Sequence, residues 1–196
     1  HTAIAQLLSK IRPKRTALLR TRGYYNVSDL LNEYKTHVWC LVELHCSGYF
    51  HAATTLLDRV DQVQRSFLRK LEISESSAFL DFNFAPTVLR RTIGILGLLH
   101  KRVLGQCHRS FDQLLPWYTQ HFDSPRVSSH DKQLYGHWLE ADQHRALFDR
   151  SIFAMVDIYN NLPQSVVDAK SVSGFQSLLT DIVKDRCRAQ IPIWEY

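Results

Sequence analysis

Ten histidines give this 196-residue chain its most visible candidates for metal chemistry. His130, His137 and His144 recur every seven residues, a spacing that places them on one face of a helix, and Glu140 follows His137 by three. Zinc sites use such spacings, but further ligands would have to converge from another segment, and partly exposed surface histidines explain the pattern more simply. Two other pairs have no third ligand in register: Cys40/His45 and Cys46/His51. We therefore predict no metal site.

Residue arrangements that carry catalysis are missing from the sequence. It contains no Asp-Asp pair of the kind that holds two metal ions in polymerases. It also contains no G-x-S-x-G elbow, no P-loop and no G-x-G-x-x-G turn. A Ser-His-Asp catalytic triad is not recognisable from the order of residues, and nothing in this sequence identifies a nucleophilic serine. We predict no catalytic residue and no cofactor, and a stand-alone enzyme is the least favoured class of function.

Basic residues are unevenly distributed, although the net charge is only +5. Residues 1–23 and 86–110 hold 11 of the 24 Lys and Arg residues and none of the 19 acids. A mildly acidic body with two wholly basic segments is typical of a polyanion-binding surface, and the alternative is chance clustering on a solvated face. The predicted nucleic-acid-binding residues are Lys10, Arg12, Lys14, Arg15, Arg20, Arg22, Arg90, Arg91, Lys101 and Arg102.

Apolar residues at three- and four-residue steps predict that helices position these side chains. Long helices are expected near 2–21, 27–46, 54–71, 87–105, 146–161 and 172–188, with a short helix or turn near 74–84. Pro13 should kink the first helix or divide it in two. Gly94 and Gly97 weaken an isolated helix, so we expect them to allow close approach of another helix. The predicted fold class is all-α, a multi-helix bundle with a C-terminal helical tail.

The two helices between Glu33 and Leu71 form the predicted centre of the bundle, and their short connection predicts antiparallel packing. Gly48 should end the first helix, because glycine tolerates the left-handed conformation of helix ends. Thr54 or Thr55 should cap the second. A solvated polar face is expected on the second helix, formed by Asp58, Arg59, Asp61, Gln62, Arg65, Arg69 and Lys70.

Three blocks of sequence resemble the region that follows the palm in reverse transcriptases of non-LTR (LINE-type) retrotransposons. The first contains Tyr34-Lys35-Thr36, Glu43 and the string LDRVDQVQRSFLR at 57–69, after a basic helix. The second is LRRTIGILGLLHKRVLGQ at 89–106. The third begins with RSIFAMVDIYNNLP at 150–163 and continues with the spaced residues Ser171, Val172, Phe175 and Leu179. The resemblance covers about 5–183 and is absent from about 117–145.

The resemblance implies a non-catalytic, thumb-like helical region and tail from a chain whose upstream palm and fingers are missing. The parent would be an RNA-directed DNA polymerase, and His1 in place of Met fits a piece of a longer chain. The implied partner is nucleic acid, an RNA–DNA hybrid or RNA, held through phosphates because a polymerase must hold every sequence equally. The alternative class is a helical protein–protein interaction module.

A polar loop near 123–129 predicts the domain organisation: a thumb-like helical region at 1–116, a linker or irregular region at 117–145 and a helical tail at 146–196. No apolar run approaches the roughly 18 residues of a membrane span, and no signal peptide is visible. The four cysteines form no C-x-x-C, which predicts free, buried thiols in a reducing compartment. We expect an intracellular location, nuclear or cytoplasmic, without a membrane partner.

Overall fold

The computed structural model describes residues 2–44, 46–118, 129–136 and 148–191, and the regular structure in these ranges is helical. This confirms the all-α fold class. The first helices are α1 (Thr2–Arg20), α2 (Val27–Tyr34), a π-helical turn (Lys35–Trp39), α3 (Cys40–Leu44), α4 (Cys46–Tyr49) and α5 (Thr54–Lys70). They are followed by α6 (Glu75–Phe82), α7 (Thr87–Val103), α8 (Ser110–Leu114), α9 (Ile152–Asn160), α10 (Gln164–Val167) and α11 (Val172–Arg188).

The predicted helices are recovered, but several of their predicted ends are wrong. Gly48 lies inside α4 and its backbone is not left-handed. The N-cap of α5 is Ala53, without a side-chain hydrogen bond, so neither Thr54 nor Thr55 caps it. Pro13 does not divide α1, which continues through it. Both Pro13 and Ser9 lie on the exposed side of that helix, so the Ser9 carbonyl that proline leaves without a donor is on the solvent side.

Contacts divide the chain into two compact units, each described separately. Unit 1 consists of His1–Thr92 with Ile182–Tyr196, and unit 2 of Ile93–Asp181. The boundaries predicted at 117 and 146 stay predictions, since 119–128 and 137–147 lie outside the described residues. Among the residues that are described, no helix has both the length and the apolar character needed to cross a bilayer. Of the four cysteines, only Cys187 is buried, so the prediction of buried thiols is wrong for Cys40, Cys46 and Cys107.

Aromatic side chains fill the centre of unit 1. Tyr34 of α2 lies against Phe67 of α5 with ring centroids 4.6 Å apart, and it meets Phe84 edge-on at 5.3 Å. Trp39 stacks on the other side of Phe84 at 4.6 Å. Such aromatic contacts contribute beyond the burial of their area, so Phe84, itself fully buried, joins two turns of one helix to the chain that follows α6.

The π-helical turn explains how Tyr34 and Trp39 both contact Phe84. Residues five apart on a regular α-helix point about 140° away from each other, because each residue advances about 100°. The wider i→i+5 turn at Lys35–Trp39 reduces that angle. Both aromatic side chains therefore enter the same core.

The end of α6 directs Phe84 into this core. Asn83 adopts the left-handed conformation, with φ of 50°. The backbone N–H groups of Asn83 and Phe84 both donate to the carbonyl of Ala78. Lys35 Nζ donates to the carbonyl of Phe82 at 2.8 Å. One of the free carbonyls at the end of α6 is thereby satisfied by an ammonium group from the π-helical turn.

Helix α5 is antiparallel to the segment that contains α2 and the π-helical turn, which confirms the predicted packing. Tyr34 contacts Phe67, whereas Trp39, later in the first segment, binds Gln64, earlier in α5. Helix α1 runs the opposite way, parallel to α5. Arg15 Nη1 donates to Ser66 Oγ at 2.6 Å, and Arg22, beyond the end of α1, donates to the carbonyl of Lys70 at 3.1 Å.

Unit 2 is organised around Tyr159 of α9. Its ring lies 5.8 Å from that of Phe175 of α11, and Phe175 stacks on His100 of α7 at 4.2 Å. Gly97 contacts α11 so closely that a Cβ there would lie 2.5 Å from Gln176 Nε2. The Gln176 side chain thus occupies the space beside Gly97, whereas Gly94 has open space around it, so the prediction of close helix approach is wrong at Gly94.

The core of unit 1 predicts a sharp contrast between two neighbours on α5. Phe67 is fully buried and Arg69 is exposed. We expect Phe67→Ala to lower the free energy of unfolding by about 3–5 kcal/mol, because it removes a ring and leaves a cavity. Arg69→Ala should lower it by less than about 0.5 kcal/mol. Urea denaturation of the two variants measures both values, and equal losses would contradict this assignment of the helix face.

Candidate functional site

The structure places the ten predicted nucleic-acid-binding residues in three different environments. Arg15 and Arg90 are half-buried, and Arg91 and Arg102 are buried. The remaining six are exposed: Lys10, Arg12, Lys14, Arg20, Arg22 and Lys101. The first four bases of α1 do not form one patch. Lys10 and Lys14 share one flank of the helix, while Arg12 and Arg15, three residues apart, share the other.

Each flank of α1 borders a different neighbour. Lys10 lines a cleft of about 240 Å³ beside Leu44, Gly48 and Tyr49, on the side of α3 and α4. Arg15 donates to Ser66 of α5. The bases of α1 are thus divided between two sides of the helix, and only one of those sides borders α5.

Helix α5 adds bases to the side that it shares with α1. Arg59 and Ser66 are seven residues apart and lie on one helical row, and Arg69 follows Ser66 by three. Arg59 and Arg69 are both exposed. We call the surface formed by Arg12 and Arg15 of α1 with Arg59 and Arg69 of α5 the α1–α5 surface. The sequence pattern predicts only an ordinary solvated face for Arg59 and Arg69, because nothing in the sequence aligns α5 with α1.

The α1–α5 surface lacks neutralising acids. Within the described ranges, no carboxylate lies within ion-pair distance of its four arginines. Arg15 Nη1 binds Ser66, but its buried Nε has no hydrogen-bond partner among the described residues. A guanidinium carries five N–H donors and strongly prefers carboxylate or phosphate oxygens. The surface therefore has cationic donors available for an anionic ligand.

Arg90 belongs to a different arrangement in unit 1. Its guanidinium lies over the Trp39 ring, 4.2 Å from the centroid, and its Nε forms an ion pair with Glu43. The cation–π contact and the carboxylate both hold Arg90 in place. Its predicted phosphate contact is untested, but the charge of the side chain is already balanced by Glu43.

Arg91 does not fit the predicted phosphate surface. Its side chain is only 5% exposed and forms a two-pronged ion pair with Asp61 of α5, through Nη1 to Oδ1 and through Nη2 to Oδ2 at 2.9 Å. Burial opposes the charge on Arg91, but the hydrogen bonds and attraction of Asp61 outweigh it and raise the pKa of the guanidinium. Asp61 is likewise buried, so the prediction that it lies on a solvated face is wrong.

Arg102 of unit 2 is also withdrawn from the predicted surface. It is buried, with its Nε 3.1 Å from Asp112 Oδ1 and its guanidinium 5.3 Å from the centroid of the Trp117 ring. Asp112 balances the charge of this buried arginine, although the Arg102 Nε has no hydrogen-bond partner among the described residues. Lys101, its neighbour on α7, is exposed.

The motif residues of the first sequence block have structural roles in unit 1. Gln64 Oε1 accepts from Trp39 Nε1 at 3.0 Å and from Thr87 Oγ1 at 2.5 Å, and Gln64 Nε2 donates to the carbonyl of Ala85 at 2.9 Å. Burial lowers the pKa of the Lys35 ammonium, and the positive charge of Arg90 lowers it further. These groups hold helices together and present no reactive arrangement.

His100 of unit 2 is a buried histidine that sequence analysis did not single out. Its Nδ1 lies 3.0 Å from the Tyr159 hydroxyl, and its Nε2 lies 2.9 Å from the carbonyl of Ala169. When Nδ1 accepts from the hydroxyl, Nε2 carries the proton and donates to that carbonyl. The neutral imidazole satisfies both partners in this tautomer. Burial lowers the pKa of His100, and the positive charge of Lys132 lowers it further, whereas the hydrogen bond to the Ala169 carbonyl raises it.

His130 is buried too, which contradicts the expectation of a partly exposed residue. Its Nε2 lies 3.0 Å from the carbonyl of Tyr159 and its Nδ1 accepts from the backbone N–H of Lys132 at 3.1 Å. Both ring nitrogens are therefore occupied. His137 and His144 lie outside the described residues. No cluster of three or more potential metal ligands occurs in the part of the chain that the structure describes.

The Asp61–Arg91 pair predicts a large loss of stability when one partner is removed. Asp61→Ala leaves a buried guanidinium unpaired and should cost about 3–5 kcal/mol of unfolding free energy. The control is Glu43→Ala, which breaks the partly exposed pair with Arg90 and should cost no more than about 1 kcal/mol. Replacing both members of the buried pair, as Asp61→Leu with Arg91→Met, should cost less than Asp61→Ala alone. Urea melts that show Glu43→Ala to be the more damaging variant would contradict the assignment.

His100 predicts a pH-dependent stability. Because its pKa is lowered in the folded chain, the unfolded chain takes up the proton first as pH falls below the ordinary histidine value of about 6.5. Stability is then lost with falling pH, by at most about 1.4 kcal/mol per pH unit from this group. His100→Gln cannot titrate, so it should lose less stability than the wild type between about pH 7.5 and about pH 5.5. Urea midpoints of both proteins at the two pH values measure the difference, and identical losses would contradict it.

No family model, no curated protein and no solved structure matches this chain.

Proposed function

We propose that this chain binds nucleic acid through the phosphate backbone, with the α1–α5 surface as the contact. The observation that carries the proposal is that two parallel helices, linked by the Arg15–Ser66 hydrogen bond, carry four arginines with no acid at ion-pair distance among the described residues: Arg12, Arg15, Arg59 and Arg69. Arginine donors suit phosphate oxygens in geometry as well as in charge. Backbone contacts of this kind fix position without selecting a sequence.

In the same proposal, the chain is the non-catalytic thumb and tail of a non-LTR retrotransposon reverse transcriptase. Its part in the reaction is to hold the template–primer behind the palm, so bond making belongs to the upstream domains of the parent polymerase. The supporting argument is the ordered resemblance of three sequence blocks together with an exposed basic face on the first helix. An RNA–DNA hybrid is the preferred ligand and RNA the second.

A protein–protein interaction module is the second candidate, and one feature favours it. Leu44 is 74% exposed beside the cleft lined by Leu7, Lys10 and Tyr49. An exposed leucine at the edge of a partly apolar cleft is a suitable anchor for a partner helix. This feature lies on the flank of α1 that does not border α5, so separate variants address the two candidates.

The test compares two variants that each remove two positive charges from unit 1. Arg12→Gln with Arg69→Gln changes the α1–α5 surface, and Lys10→Gln with Lys14→Gln changes the opposite flank of α1. All four side chains are exposed, so both variants should fold. We expect only the arginine variant to weaken binding of a labelled RNA–DNA hybrid, measured by fluorescence anisotropy at several salt concentrations. The slope of log K against log salt should become shallower by up to about 0.9 for each lost phosphate contact.

The outcomes separate the two candidates. Equal losses in both variants would indicate general charge attraction and would contradict a localised α1–α5 contact. Hybrid binding that does not respond to salt, or that neither variant changes, would remove nucleic acid from the proposal. A partner captured through Leu44 and lost in Leu44→Ala would then support the interaction module.

A further inference from the structure

Two exposed aromatic side chains stand in the turn between α1 and α2. Tyr24 is 88% exposed and Tyr25 is 52% exposed. The backbone of the turn is defined by a hydrogen bond from Tyr24 N to the carbonyl of Thr21 at 2.9 Å, and Asn26 then caps α2 by accepting from Asp29 N. A well-formed turn therefore presents two adjacent tyrosine rings to solvent. Neither ring contributes to the core of unit 1.

The turn is flanked by cations on both of the elements that it borders. Arg20 and Arg22 precede the tyrosines and are exposed. Arg22 Nη1 donates to the carbonyl of Lys70, which brings the basic end of α5, with Arg69 and Lys70, next to the turn. Residues 1–28 contain no acid. The rings thus lie at the end of a surface that is positive on α1 and on α5.

Aromatic rings beside cations match one class of ligand well. The face of an unpaired base stacks on an aromatic side chain, and the phosphate next to it pairs with a cation. A base inside a duplex has both faces covered by its neighbours, so it offers no face to a protruding ring. The turn therefore has groups for both parts of an unpaired nucleotide, whereas the arginines of the α1–α5 surface serve the phosphate alone.

We infer that Tyr24 and Tyr25 form a stacking site for unpaired bases of single-stranded nucleic acid, whose phosphates contact Arg20 and Arg22. The inference rests on the proposed nucleic-acid function and specifies its ligand as a strand that leaves the duplex at the end of the α1–α5 surface. Stacking on a ring does not depend on the base, so the site holds any sequence. It favours a junction between double and single strands over a continuous duplex.

The experiment uses the 196-residue chain and three labelled probes. They are a single strand of about 12 nucleotides, the blunt duplex of the same sequence, and a strand of equal length whose sugars carry no bases. The test variant is Tyr24→Ala with Tyr25→Ala. Its matched controls are Tyr24→Trp with Tyr25→Trp, which keeps the stacking faces, and Ile158→Ala, which removes an exposed apolar side chain in unit 2.

We expect the double alanine variant to bind the single strand about 5-fold or more weakly than the wild type. Its affinities for the blunt duplex and for the strand without bases should stay within about twofold. The double tryptophan variant should bind the single strand at least as well as the wild type, and Ile158→Ala should bind all three probes as the wild type does. This pattern supports stacking because only the probe with free base faces responds.

Two results would overturn the inference. Equal loss on all three probes would show that the rings act through phosphates or through folding. Unchanged single-strand binding by the alanine variant would show that the rings do not contact the ligand. Neither result touches the proposed function, which fails if duplex binding does not respond to salt or does not change when the α1–α5 arginines are replaced. A wild type that binds none of the probes at low salt would overturn both.

Discussion

The side chain of Gln64 is buried at the centre of unit 1, and its amide must find partners for both its oxygen and its nitrogen. A buried polar group without a partner costs about 1–3 kcal/mol, and this amide is satisfied by Trp39, Thr87 and the carbonyl of Ala85. The π-helical turn, α5 and the start of α7 are thereby joined around one residue. The hydrogen bonds fix how α5 is rotated about its axis, and this rotation sets the environment of every other side chain on that helix.

The rotation of α5 sorts its charged residues into two groups. Asp61 faces inward, where the two N–H donors of Arg91 satisfy its carboxylate. Arg59 and Arg69 face outward beside α1. The basic residues of unit 1 therefore have different roles. Arg91 stabilises the core of unit 1, whereas arginines without an acid partner remain available to an external anion.

The proposed contacts place two kinds of recognition on neighbouring parts of unit 1. The α1–α5 surface offers arginine donors suited to phosphates, and the turn after α1 adds two aromatic rings. Both contacts tolerate any base sequence, since one addresses the backbone and the other the common flat face of the bases. A segment that holds a moving template–primer needs this tolerance.

The sequence by itself determined the all-α fold class, the main helices and the buried position of Phe67, because apolar periodicity is a local property that each helix carries in its own residues. It also identified the basic character of α1. Only the tertiary structure decided which bases are free, since an ion pair such as Arg91–Asp61 joins residues 30 positions apart. The same holds for the parallel alignment of α1 with α5: two separated helices meet through long-range packing, and no spacing within either helix records that contact.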